Sequence, residues 1–181
     1  NENFTNHKQI YRIYDVKMNR CNLNWDLYPV LKNDYAAIED ACPLEYATGI
    51  QLTVKNDLAH TNTEIQHLLG TTNNFFSIFS VNIEESLAVK PFADKESVVI
   101  SRSVAEKLYG KQNPLGQPIN VNNYFSGTIT GIFDKLPANS SFQADVILNS
   151  ENEKFRMSNT VSNGKRYNPT NLFVMLKEGS N

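Results

Sequence analysis

Alternating apolar and polar positions predict that β-strands form most of this chain. The clearest case is 49–55, where Ile50, Leu52 and Val54 alternate with polar residues. This period of two is typical of a strand with one buried face. Runs rich in branched and aromatic residues predict further strands at 10–18, 63–71, 97–100, 119–121, 142–148 and 172–176.

Helical spacing of apolar residues is confined to three segments. The first is 26–40, with Asp26 as a candidate N-cap and Pro43 ending the segment. The second is a short helix at 74–79, which brings Phe75, Phe76 and Phe79 onto one face. These rings could form an exposed docking patch, but core packing is favoured because large aromatic side chains are normally buried.

The third helix, 102–109, has the clearest end signals. Ser101 is placed to cap its first turn and Gly110 to end it with a positive φ. A tight turn is predicted at 113–116, where Pro and Gly occupy the positions that turns require. The buried stripe of the helix 102–109 is expected to consist of Val104, Ala105 and Leu108.

A hairpin is predicted after this turn, because Asn122 and Asn123 tolerate the positive φ of a primed turn. Gly127 and Gly131 in the return strand indicate bulges or close backbone contacts. The polar stretch 150–168 predicts a long exposed loop. Strands outnumber helices and hairpin connections dominate, so the expected class is α+β.

Composition narrows the function classes. The 181 residues are 40% hydrophobic and 20% charged, with a net charge of -2, which argues against a nucleic-acid-binding surface. No apolar run approaches the roughly 20 residues of a membrane helix, and no signal peptide precedes the first strand. The abrupt ends predict a soluble part cut from a longer protein.

No pattern predicts catalysis, a cofactor or a metal. His60 and His67 lack a recognised ligand spacing, and Ser101 is better explained as a helix cap than as a nucleophile. The glycines of 127–131 lack the Lys-Ser/Thr pair of a phosphate-binding loop. Cys21 and Cys42 could form a disulfide or be two unrelated buried residues; the second alternative is favoured.

Five segments in a fixed order carry a family resemblance. They are 8–13, 72–79, the segment 98–110 with its turn 113–116, the segment 128–133 with its loop 136–142, and 172–177. Together they resemble the MacB-like extracytoplasmic core domain of bacterial ABC-transporter permeases, a family that includes FtsX-type permeases. Glu85–Ser86 replaces the glycine usual after the aromatic segment, and the helix leading to the second membrane segment is missing.

The resemblance implies a two-lobed α+β fold with mostly antiparallel strands. A porter-like α/β lobe would comprise 1–71 and 142–181, and a smaller β-rich lobe with one capped helix would comprise 72–141. The motif positions with a structural role would be Phe75, Phe76, Phe79, Ser101, Ala105, Leu108, Gly110, Pro114, Gly116, Gly131, Pro137 and Ser140.

The resemblance also implies a function: a non-catalytic periplasmic domain of a bacterial inner-membrane permease, coupling cytoplasmic ATP hydrolysis to export or mechanotransmission. Its expected partners are flanking transmembrane helices, a second permease copy or paralogue, a cytoplasmic ATPase, and a periplasmic adaptor or lipoprotein. The isolated chain is expected to be a monomer. The alternative is a stand-alone extracytoplasmic ligand-binding or adhesion module, and the transported substrate stays open.

Overall fold

The computed structural model describes residues 4, 7–57, 59–123, 125–138, 140–152, 161–162, 165–166 and 170–180. The strands in these ranges are β1 (Ile10–Arg12), β2 (Asn22–Leu23), β3 (Ile38–Asn56), β4 (Thr61–Thr71), β5 (Ile83–Ser86), β6 (Ser97–Ser101), β7 (Pro118–Val121), β8 (Phe125–Phe133), β9 (Val146–Asn149), β10 (Val161–Ser162), β11 (Lys165–Arg166) and β12 (Thr170–Leu176). The helices are α1 (Leu27–Asp34), α2 (Asn74–Ile78) and α3 (Arg102–Tyr109). Within the described ranges, none of these helices has the length and apolar character needed to cross a bilayer.

One sheet of ten strands organises the molecule. Its main order is β1-β12-β3-β4-β9-β6-β8-β5, with β2 beside β12, and β7 beside both β3 and β8. Only the β4–β9 and β6–β8 pairs of this sheet are parallel, and β10 and β11 form a separate antiparallel pair. The predicted α+β class with mostly antiparallel strands is confirmed.

Strand β3 is the longest element, with 19 residues. It pairs with β12 through 38–44, with β4 through much of 45–56, and with β7 at Val54 and Lys55. The predicted strand 49–55 is therefore part of a much longer one, and the predicted return strand 63–71 is confirmed as β4.

The predicted helix 26–40 is wrong in its second half. Helix α1 ends at Asp34, and β3 begins at Ile38. Pro43 does not end a helix but lies within β3 opposite Leu172, where its carbonyl accepts a hydrogen bond from Thr71 Oγ1 at 2.7 Å. Asp26 precedes the helix without a side-chain capping bond.

Three further segments differ from the sequence prediction. The strand expected at 10–18 ends at Arg12 and is followed by a bridge between Asp15 and Arg20, and the strand expected at 142–148 begins only at Val146. Ser150 and Asn152 are buried rather than exposed. Most of the remaining predicted loop, at 153–160, 163–164 and 167–168, lies outside the described residues.

Two apolar clusters cover the opposite faces of the sheet. All five residues of β6 are buried, and they alternate in direction, because Val98 and Ile100 join one cluster while Val99 joins the other. The first cluster is closed by α3, and the second by the aromatic residues of α2.

A smaller cluster around Leu23, Tyr28 and Leu172 packs α1 against the sheet. Cys21 and Cys42 are both free thiols, and Cys42 is buried. The predicted boundaries between lobes at 71/72 and 141/142 stay a prediction. Hydrogen-bonded pairing continues across the second of them, from β9 to β6.

Candidate functional site

The best-defined motif positions build the connection from β6 through α3 to the next turn. Ser101 Oγ accepts a hydrogen bond from the Val104 N–H at 3.3 Å, so it caps the helix as predicted. Ala105 and Leu108 are 3% and 1% exposed in the first cluster. Gly110 ends the helix with a φ of 59°, a region that favours glycine. These residues fix the geometry of a helix.

The turn at 113–116 connects the segment after α3 to the sheet by a hydrogen bond. The Gln117 N–H donates to Pro114 O at 3.0 Å, and Gly116 has a φ of 79°. The Gly116 N–H donates to the carbonyl of Ile129, in β8, at 2.8 Å. Pro114 and Gly116 are therefore structural residues that hold the end of the α3 connection against β8.

Gly131 lies in β8 beside a break in the pairing with β6. Val98 pairs with Ile129, whereas the next residue, Val99, pairs with Gly131, so one β8 residue is extra. This is the bulge predicted from the sequence. The turn at Asn122 and Asn123 also forms as predicted, with φ values of 57° and 56°.

The aromatic motif residues are buried rather than exposed. Phe75, Phe76 and Phe79 are 0%, 7% and 3% exposed. Phe75 and Phe79 contact the ring of Phe142 with centroid distances of 5.6 and 4.9 Å, and Phe76 contacts Phe92 at 5.2 Å. The interpretation as core is confirmed, and these rings offer no docking patch.

The loop before Phe142 contains the last two motif positions. The Pro137 carbonyl accepts hydrogen bonds from the Ser140 N–H at 2.8 Å and from Gln143 Nε2 at 2.9 Å. Ser140 Oγ in turn accepts the Phe142 N–H at 3.4 Å. The twelve motif positions thus lie on both faces of the sheet and in its connections, and they do not converge on one site.

The ionisable groups with displaced pKa values are scattered in the same way. Hydrogen bonds to Glu85 and Glu84 raise the pKa of Arg102, which joins the start of α3 to β5 at N–O distances of 2.6 and 2.5 Å. Burial raises the pKa of the Cys42 thiol, and burial raises the pKa of Tyr109 to about 12. Arg102, Cys42 and Tyr109 lie apart from one another, and none of them forms the pair of a nucleophile and a base that catalysis would require.

The histidines also lie apart. His60 is in the turn after β3 with a φ of 53°, while His67 is inside β4. His7 Nδ1 lies 3.0 Å from the Phe4 carbonyl. Across the described ranges, no group of three His, Cys, Asp or Glu side chains has the arrangement of a metal site.

Two open grooves mark the surface of the described residues. One, of about 650 Å³, lies between α1, α2 and the loop after β5, and its wall includes the Lys32–Asp40 ion pair at 3.5 Å. The other, of about 450 Å³, lies over the edge strand β1 and its neighbour β12 and contains Arg12, Tyr46, His67 and Asn171. Sequence reasoning identified none of these four as a site residue, because they belong to four different strands.

The two described ends of the chain meet in the sheet. Strand β1 pairs with β12, with Ile10 opposite Met175. The Leu176 N–H donates to Gln9 O at 2.9 Å. Strand β12 then pairs with β3 from Asn171 to Leu176. The first and last strands of the main sheet are therefore hydrogen-bonded to each other, and both connect to the rest of the sheet through β3.

Comparison with known proteins agrees with this architecture. The model of the MacB-like periplasmic core domain matches residues 1–181. No curated protein matches the chain in sequence.

Three crystal structures share the fold at low sequence identity. A domain assigned to a permease of Porphyromonas gingivalis has a TM-score of 0.75 at 21% identity, covering 98% of this chain and 79% of its own. The extracellular domain of the noncanonic ABC-type transporter YknZ from Gram-positive bacteria has a TM-score of 0.63 at 16% identity, with coverages of 94% and 83%. The periplasmic region of MacB from Actinobacillus actinomycetemcomitans has a TM-score of 0.64 at 14% identity, with coverages of 95% and 75%.

Proposed function

This chain belongs to the family of MacB-like periplasmic core domains of ABC-transporter permeases, and from this premise we propose that it transmits movement between membrane-embedded helices and a partner outside the membrane. The work would come from ATP hydrolysed by a separate cytoplasmic subunit. The domain itself would be non-catalytic and would act on the periplasmic side of a bacterial inner membrane.

The observation that carries this proposal is the junction of β1, β12 and β3. The segments 7–9 and 177–180 flank the β1–β12 pair, so membrane helices attached to them would pull on neighbouring strands. Strand β12 is hydrogen-bonded to β3, whose 19 residues extend to the pairing with β7. Because sheet hydrogen bonds and packed cores resist deformation, a displacement at the chain ends would move the sheet as a body.

The partners follow from the same arrangement. A second copy of the permease or a paralogue would place a second domain beside this one, and relative movement of the two would reach an adaptor or lipoprotein. Rigid-body rotation of domains is a common way to convert a local ligand event into a large displacement. The alternative of a stand-alone ligand-binding or adhesion module has no support from the larger groove, which is open and contains an internal ion pair. A small ligand in the other groove would be compatible with transmission.

The test measures distances in the complete permease together with its ATPase. Spin labels are placed at exposed Lys111 after Lys111→Cys in a background of Cys21→Ser and Cys42→Ala. We expect the distance between labels on the two periplasmic domains to differ between the nucleotide-free complex and the complex trapped with ATP and vanadate.

A second pair of labels within one domain, at Lys17 and Lys111, is the control. Its distance should stay constant in both states, because the two positions belong to one sheet and its connections. An inter-domain distance that stays the same in a complex that hydrolyses ATP would refute the transmission proposal. So would a change in the intra-domain distance as large as the inter-domain one.

A further inference from the structure

The groove over β1 and β12 is the open end of the second apolar cluster. Strand pairing explains which residues reach it. Phe173 of β12 lies opposite Arg12 of β1 on one side and opposite Cys42 of β3 on the other. Asn171, two residues earlier, lies opposite Leu44. Since directly opposed residues point to the same face of a sheet, Arg12, Asn171 and Phe173 share the face of the second cluster.

Two side chains from the next strands complete that face. Tyr46 is two residues after Leu44 on β3 and pairs with Leu69 of β4. His67 is two residues before Leu69, so the period of two brings it to the same side. The loop 140–143 borders the groove from above the sheet.

The groove has an apolar floor of fixed geometry. Phe142 and Phe173 both line it, and their rings lie 4.9 and 5.4 Å from the ring of Phe79 in edge-on contacts. Phe142 is also stacked on Phe4 at 5.8 Å. Phe142 is 4% exposed and Phe173 is half-buried, so Phe173 would offer most of the contact area to an apolar group.

The walls of the groove supply hydrogen-bond donors and positive charge. Within the described residues Arg12 forms no ion pair; one of its five N–H groups donates to Asn171 Oδ1. His67 Nδ1 is buried and has no hydrogen-bond partner. The phenol of Tyr46 is a hydrogen-bond donor at neutral pH. Desolvation raises its pKa further, the nearby Arg12 charge opposes that rise, and the residue is 36% exposed. Among the described residues that line the groove there is no Asp or Glu.

We propose that this groove binds an organic anion, with its carboxylate or phosphate group held by Arg12, Tyr46 and His67 and its apolar part on Phe142 and Phe173. A guanidinium presents paired N–H groups that match both oxyanions. The volume of about 450 Å³ lies within the range of roughly 300–1,000 Å³ found for small-molecule sites. The inference stands on the groove alone and does not require the transmission role.

The test titrates the isotopically labelled 181-residue chain with three small probes and follows amide chemical shifts. The probes are 3-phenylpropionate, phenyl phosphate and the neutral isostere 3-phenylpropionamide. We expect the two anions to shift amides of β1, β12 and 140–143 in a saturable manner, and the neutral amide to bind at least about tenfold more weakly. Tighter binding of phenyl phosphate would assign a phosphate ligand, and tighter binding of the propionate a carboxylate ligand.

Three variants locate the anion. Arg12→Gln should weaken anion binding at least about tenfold, since hydrogen bonds to charged groups are the stronger ones, while Lys17→Gln, which removes an exposed charge outside the groove, should leave it unchanged. Tyr46→Phe keeps the ring and removes one donor, so a smaller loss is expected even if Arg12→Gln disturbs folding. Equal affinity for the neutral amide, no saturable shifts around the groove, or native affinity in both Arg12→Gln and Tyr46→Phe would overturn the proposal.

Discussion

Gly127 sets how closely β6 and β8 approach each other. A Cβ atom at this position would lie 2.4 Å from the Glu96 carbonyl oxygen and 2.7 Å from Val98 Cγ2. The prediction of a close backbone contact is thus confirmed in physical detail: only glycine fits without a shift of the neighbouring strand.

We therefore expect Gly127→Ala to lower the free energy of unfolding by about 1–3 kcal/mol, the usual cost of overpacking, in urea denaturation followed by circular dichroism. Gly131→Ala is the matched control, because the nearest atoms there are Val99 methyl carbons at 3.4 Å, close to ordinary contact. An equal loss for the two variants would contradict the steric explanation.

Cys42 makes stability depend on alkaline pH. The thiol is 0% exposed, and burial raises its pKa well above the value of 9.0 taken for a free thiol. Above pH 9 the unfolded chain therefore releases this proton while the folded chain keeps it, and the folded state loses stability as the pH rises.

The contribution of this one group should reach about 1.4 kcal/mol at pH 10. We expect the difference in unfolding free energy between pH 7.5 and pH 10 to be larger by that amount in the native chain than in Cys42→Ala. Tyr109 also titrates at high pH, but burial alone raises its pKa and it is present in both proteins, so the comparison cancels its contribution. Parallel pH profiles of the two proteins would show that the thiol is not responsible.

At the scale of elements, helix α3 is specified by residues within and directly beside it. Ser101 caps the helix through Val104 N–H, and the first cluster holds its apolar stripe. Ser101→Ala should lower the free energy of unfolding by about 1 kcal/mol, measured by urea denaturation. Ser103→Ala, two residues later inside the helix, should be neutral or slightly stabilising because alanine is the best helix former. Similar losses for both variants would mean that the hydroxyl of Ser101 is not acting as a cap.

The elements that could be predicted from the sequence are those specified by residues close together in the chain. Helix α3, the turn at 113–116 and the Asn122–Asn123 hairpin each depend on residues a few positions apart, and each was predicted correctly. Residues 38–40 are predicted as the end of a helix but lie in β3, because their strand character comes from pairing with β12, more than 100 residues away. Local spacing does not contain that information.

The groove residues were missed for a related reason. Arg12 and Asn171 are 159 positions apart and meet only because β1 and β12 are neighbours. Arg12 lies in the motif segment 8–13 and Asn171 lies just before the segment 172–177, but no spacing rule associates residues so far apart in the sequence. Their shared face follows from strand register, which becomes available only with the fold.

At the scale of the whole molecule, the packing joins the two predicted lobes. Each of the two large clusters contains residues from both: Leu68 with Val98 in the first, and Leu69 with Val99 in the second. Val99 is 0% exposed and pairs with Ile147 of β9 as well as with Gly131 of β8. Burial shared in this way couples the unfolding of the two parts.

We accordingly expect the molecule to unfold in one cooperative step. Native-state hydrogen exchange should give the amides of Leu69, Val99 and Ile147 a common opening free energy. Val99→Ala should lower all three values equally, by roughly 2 kcal/mol for the lost methyl groups and the remaining cavity. Val89→Ala, at a fully exposed position, should change none of them. If Val99→Ala destabilised only the amide at residue 99, or if that amide opened at a lower free energy than the other two, the lobe 72–141 would unfold on its own. The sheet would then transmit displacement less faithfully than its continuous hydrogen bonding indicates.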